Sequence, residues 1–164
     1  LAEAAGISRT GLLHHFGSKE ALLKAVLERR DAEDAARFTG ADTDETGLGA
    51  LATLVELARH NAERPHLVAL FAVLSAEASD PDHPAHEYFV DRYRGTVADI
   101  AASLTRAKAS GLLARGVDPA GQARTLVALM DGLQVQWLLS PADVDMAGTL
   151  RAQIERVLTV PLPG

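Results

Sequence analysis

Three groupings of side chains in this 164-residue chain have types and spacings that chemistry uses. Glu63 and His66 form a Glu-x-x-His pair, the spacing of di-iron helical bundles. Such a centre needs a second copy and two further glutamates, and Pro65 interrupts the helix between these two residues, so no metal is expected there. Asp80, Asp82, His83 and His86 form a second cluster, inside the connector DPDHP. Asp and His in a Pro-rich connector serve to cap the helix that follows, and no metal is expected here either. The third grouping is Ser8, Arg9, Thr10, Gly11, Leu13 and His14, followed by Ser18 and Lys19. Small and hydroxyl side chains at the start of a short helix permit close approach to a surface. Arg9 can neutralise a phosphate or fork onto guanine. Lys19, at the start of a helix capped by Ser18, can hold another phosphate.

Enzyme signatures are otherwise missing from the sequence. It holds no GxGxxG, Walker A, GxSxG or HExxH, and with no cysteine a thiolate nucleophile is impossible. No catalytic activity and no cofactor are expected. A different chemistry is suggested by the few polar or aromatic side chains on otherwise apolar helices: His60, Asn61, Phe71, Tyr93, Met130, Gln134 and Trp137. Each can line a ligand pocket, or can serve core packing or an interface. A pocket walled mainly by Leu, Val and Phe would favour an apolar or aromatic ligand.

The elements that must position these residues are helical. Hydrophobic residues make up 48% of the chain and aromatics only 4%, so the core is built from the helix formers Ala and Leu together with Val. No strand-like alternation of any length occurs, and the fold class expected is all-α. Gly6 ends a first helix, Ser8 caps a short second one, and Gly17 stops it. Ser18 caps a third, predicted over 18–38, with Leu22, Leu23, Val26 and Leu27 on one face. Further helices are predicted from Leu48 to Arg64, over 66–78, through Phe89, Tyr93, Val97, Ile100 and Leu104 to Gly111, and from Asp118–Pro119 to 139. A last helix carries Val144, Ala147, Leu150, Ile154, Val157 and Leu158, with Asp143 as its cap, and VPLPG reads as a tail. The chain is expected to divide into 1–38, the N-terminal helices with the connecting helix, and 39–164, the remaining helices. No membrane span is expected, and a cytoplasmic setting is.

Net charge is −6, but it is unevenly spread. In residues 1–30, Arg9, Lys19, Lys24, Arg29 and Arg30 outnumber Glu3, Glu20 and Glu28 by two, while the remaining 11 basic and 19 acidic residues leave the rest at −8. Only the N-terminal end suits an anionic partner. At the other end, residues 123–139 are apolar nearly all round, with Gly132 in mid-helix. A helix apolar on every face must be buried on every face. The last two helices therefore suit a two-fold interface that builds a four-helix bundle, a homodimer.

The stretch GIS-RTGLLHHFGSKEALLKAVL resembles the DNA-binding end of the TetR family of transcriptional regulators, whose usual form is close to GVS-xGTLYHHFxSKExLL. The resemblance runs from Leu1 to about Arg30, and the sequence starts part-way through the pattern, as if a first helix preceded it. The segment 118–139 also looks like the C-terminal region of actinobacterial-type members. Two positions depart from the pattern: Gly11 stands where Thr is common, and Leu13 where an aromatic residue usually contacts phosphate. The resemblance implies a helix-turn-helix followed by a helical-bundle domain, and a homodimeric regulator, usually a repressor, on a palindromic double-stranded operator. A small-molecule effector would enter the regulatory domain and tilt the helix that starts at Ser18. The alternative is a helical ligand-binding dimer without a DNA role.

Overall fold

The computed structural model describes residues 16–37 and 44–163. Six α-helices lie within them: α1 (Lys19–Arg37), α2 (Leu48–Ala62), α3 (Pro65–Glu77), α4 (His86–Ala109), α5 (Pro119–Leu139) and α6 (Met146–Glu155). Among the described residues the only ladder contact is an isolated antiparallel bridge between Leu113 and Leu158. The two helices expected before Ser18, and with them Ser8, Arg9, Thr10, Gly11, Leu13 and His14, lie outside the described residues.

Local signals set most of the boundaries. Ser18 Oγ accepts a hydrogen bond from the Ala21 amide at 3.0 Å, and Gly17 takes the left-handed turn before it, at φ 74°. Asp118 Oδ2 accepts from Gly121 N at 2.8 Å at the start of α5, with Pro119 as the first helical residue. The cap of α6 differs from the sequence-based expectation. The Asp143 carboxylate takes the Ser140 hydroxyl instead of capping, and Asp145 Oδ1 accepts from Gly148 N at 2.8 Å. The connector cluster serves local structure: His83 Nδ1 accepts from Ala85 N at 3.1 Å, and His86 Nδ1 lies 2.8 Å from Ala78 O.

Before α2 stands a compact turn. Asp44 accepts from the backbone of Thr46 at 2.9 Å and of Gly49 at 3.0 Å, and also takes the Thr46 hydroxyl. These bonds, led by the Thr46 hydroxyl, hold its carboxyl down at about 2. Gly47 follows at φ 76° and packs directly on the backbone of Ser103 in α4.

Two apolar clusters fill the interior. The larger joins α2, α4, α5 and α6 through Leu51, Val55, Ile100, Leu104, Leu126, Leu150 and Ile154. The smaller holds Leu27 of α1 against Phe71, Leu74 and Phe89, with the Phe71 and Phe89 rings edge to face at 5.4 Å. Leu27 is fully buried, which contributes on the order of 2 kcal/mol and anchors α1 to the regulatory bundle.

The terminal VPLPG segment is not a loose tail. Leu162 is buried, Arg151 donates to the carbonyls of Leu162 and Pro163, and Thr159 N donates to Leu112 O at 2.9 Å. Within one chain α5 is not covered on every face. Val135 is 49% and Leu139 82% exposed on its outer side.

Candidate functional site

A cavity lies where α1 to α5 converge. Its lining includes Asn61, Phe71, Tyr93, Met130 and Gln134, five of the seven side chains singled out from the sequence. The other two lie elsewhere. His60 is turned away, its Nδ1 3.4 Å from Glu63 Oε2. Trp137 is packed beside Ala58, Arg59, Met146 and Ala147, between α2 and α6. Lys19 is exposed at the first turn of α1, beyond the Ser18 cap.

The rest of the lining is Arg30, Leu57, Arg92, Thr96, Val127 and Asp131. The wall expected from Leu, Val and Phe is therefore replaced by a mixed one, with only Leu57, Phe71, Val127 and Met130 apolar. Arg30 and Arg92 are not among the residues the sequence singles out. One signal was available for Arg30: Leu23, Leu27, Arg30 and Asp34 recur at helical spacing and share one face of α1.

Arg30 is only 4% exposed. Its Nη2 donates to Asn61 Oδ1 at 2.7 Å, and its Nε lies 3.4 Å from Asp34 Oδ2 without making a hydrogen bond. Burial pushes its guanidinium toward the neutral form, opposed by Asp34. Arg92 reaches from α4 to Asp31 of α1, whose Oδ2 also accepts the Tyr88 hydroxyl at 2.6 Å. Both guanidiniums lie over the Phe71 ring, Arg92 at 5.1 Å and Arg30 at 5.8 Å from its centre. Helix α1 is thus held to α2, α3 and α4 by one charged cluster.

On the α5 side, Tyr93 shares the cavity wall with Asp131. Burial, then Asp131, pushes its hydroxyl up to about 12. Burial pushes the Asp131 carboxyl up as well. The cavity itself holds only about 40 Å³ of open space, room for water but not for an organic molecule without movement of its walls. A groove of about 650 Å³ runs outside it between α4 and α5, and Tyr93, Val127 and Asp131 form the wall common to both. Among the described residues no three His, Cys, Asp or Glu side chains come together as metal ligands, and no helix is long and apolar enough to cross a membrane.

Comparison with known proteins gives a consistent result. The family model of the BetI-type transcriptional repressor C-terminal domain matches residues 49–159, and that of the tetR family of bacterial regulatory proteins matches residues 1–26. No curated protein matches the chain. Among solved structures, a TetR-family regulator from Agrobacterium tumefaciens has a TM-score of 0.74 at 23% identity, over 96% of this chain and 84% of that one. A TetR-family regulator from Rhodococcus sp. has a TM-score of 0.70 at 24% identity, over 96% and 85%. The Thermus thermophilus repressor FadR, solved with lauroyl-CoA, has a TM-score of 0.63 at 22% identity, over 99% and 86%. The N-terminal signature and the helical domain thus lead to one conclusion: the chain belongs to the TetR family of ligand-responsive, DNA-binding transcriptional regulators.

Proposed function

We propose that the protein is a repressor that binds a palindromic operator as a homodimer and is released by a small effector entering the cavity around Phe71. The observation that carries this reading is Arg30. It sits on the helix that leaves the DNA-facing end, yet it is buried in the cavity wall and bonded to Asn61. A ligand that displaces either group moves α1, and it shifts DNA affinity by its differential affinity for the two positions of that helix. The division at about residue 38 follows the same logic. Residues 1–38 read DNA and transmit, and 39–164 bind and dimerise. DNA is met by Ser8, Arg9, Thr10, Gly11, Leu13, His14 and Lys19. The effector is met by Asn61, Phe71, Tyr93, Met130 and Gln134.

The dimer is supported by the outer face of α5, where Gly121, Thr125, Ala128, Gly132, Val135 and Leu139 repeat at helical spacing, Val135 and Leu139 exposed among them and Arg124 and Gln136 at the margins. A second copy packing there closes a four-helix bundle with α6. Leu139→Glu together with Val135→Glu should weaken dimerisation by well over tenfold. Sedimentation velocity would show this as monomer at concentrations where the parent chain is dimeric. A variant that stays dimeric moves the interface elsewhere.

The direct test uses the intact protein and DNA from its own promoter region in fluorescence anisotropy. Binding should weaken steeply with salt and exceed that to random DNA by about 10³-fold or more. Arg9→Ala should weaken it by about tenfold with an unchanged melting temperature. Binding with no preference over random DNA would leave a helical ligand-binding dimer in place of the regulator.

A further inference from the structure

Resting on the ligand-release reading, we propose that the inner cavity and the outer α4–α5 groove are two halves of one site for an elongated organic acid, with its carboxylate on Arg30 and Arg92 and its apolar body along the groove.

The inner half is built for an anion. Arg30 and Arg92 both line the cavity; Arg30 Nε stands 3.4 Å from Asp34, Arg92 pairs with Asp31, and Arg64, one-third exposed, lies 3.8 Å from the same Asp34. Asp131 is the carboxyl in the cavity lining; burial pushes it up, opposed by Arg92. Arg30 is almost wholly out of water with an Nε that makes no hydrogen bond. A buried guanidinium N–H without an acceptor is costly, and a ligand carboxylate supplies that acceptor. Asn61, Thr96 and Gln134 line the same space and add uncharged hydrogen-bonding groups around it.

The outer half is built for hydrocarbon. Val90, Val97, Ala98, Ala101, Val127 and Ala128 line the groove, and its charged groups are Arg94, Arg124 and Asp131. At about 650 Å³ the groove has the capacity of an ordinary ligand pocket, roughly 300–1,000 Å³, which the inner cavity lacks. The two spaces meet at Tyr93, Val127 and Asp131. Tyr93 and Asp131 stand in the wall between them, and rotation of the Tyr93 ring joins the halves.

The test pairs a series of phenylalkanoates of increasing chain length with their neutral amides, and measures the melting temperature of the full chain against ligand concentration. At the best length the acid should bind at least about tenfold more tightly than its amide, as expected for hydrogen bonds to a charged group. Arg92→Met should reduce that preference to near unity without abolishing amide binding. Ala98→Trp, which fills the groove from an exposed position, should weaken acid and amide alike by about tenfold. Equal binding of acid and amide, a preference that survives Arg92→Met, or no binding at any length overturns the proposal. Operator binding is measured separately. If DNA is bound and no acid is, only the ligand class falls; if an acid binds and DNA does not, the regulator reading falls instead.

Discussion

Replacing Gly47 with alanine is expected to destabilise the protein by about 3 kcal/mol, lowering the melting temperature by about 6–12 °C for a chain of this size. Two effects add. The backbone at Gly47 is left-handed, at φ 76°, which costs an alanine about 1 kcal/mol. A Cβ there would also stand 2.3 Å from the carbonyl oxygen of Ser103, and that neighbour is helix backbone rather than a side chain that can swing aside. The chain before α2 must therefore lift off α4, loosening the Asp44 turn that caps it. Gly116 separates the two effects. It has φ 84°, but an added Cβ would meet nothing within 4 Å, so Gly116→Ala should cost only about 1 kcal/mol. Thermal and urea denaturation of both variants checks this. Equal losses would show that the approach to Ser103 carries no weight.

Gly47 also illustrates what the sequence makes legible. The polar run before Leu48 reads as a loop, because Gly and Asp cluster there. That α4 passes within contact distance is fixed by a residue 56 positions later, and no local pattern encodes it. The helices themselves are readable because their signals are local: Ser18 and Asp118 carry their own hydrogen-bond acceptors, and the Leu and Val stripes carry their own periodicity. Asp143 and Asp145 show the limit. Both precede the same stripe with a plausible cap geometry, and the choice falls to Asp145 because the Ser140 hydroxyl occupies Asp143.

The site is legible in the same partial way. Polar side chains on apolar helices mark positions where something other than packing is possible, and Asn61, Phe71, Tyr93, Met130 and Gln134 do share one cavity. His60 neighbours Asn61 but is rotated by one residue, toward Glu63. Trp137 lies on the same side of α5 as Met130, but about 10 Å further along the axis at 1.5 Å per residue, and so meets α6 instead. Arg30 escapes notice because Arg at i and Asp at i+4 look like a solvated surface pair. Only the packing of α2 and α3 over it, from sequence more than 30 residues away, makes it a buried charge. The recognition residues are the reverse case: the motif names Ser8 through His14, and they lie outside the described residues.

The tie between Arg30 and Asn61 gives the second large expected effect. Asn61→Leu keeps the volume and removes the acceptor 2.7 Å from the Arg30 guanidinium. A buried N–H of a charged group is then left unpaired, a loss of about 2 kcal/mol and about 6 °C in melting temperature. Asp34 stands 3.4 Å from Arg30 Nε and keeps the charge partly compensated, which holds the loss below that of an isolated buried ion. Arg30→Met alone should cost a similar amount, because Asn61 is itself buried and loses its donor. Arg30→Met with Asn61→Leu replaces the pair by two apolar side chains of similar bulk, and most of the stability should return, to a loss of about 1 kcal/mol, so the double-mutant cycle yields a coupling of about 3 kcal/mol. A coupling near zero would mean that each group is satisfied without the other. The same double variant separates stability from signalling. It folds, and α1 still docks through Leu27, but the hydrogen bond linking the DNA-facing helix to the cavity wall is gone. It should bind operator DNA, and it should bind effector more weakly because Arg30 and Asn61 line the cavity; at saturating effector the influence on DNA affinity should fall toward unity, because a ligand that no longer distinguishes the two positions of α1 shifts nothing.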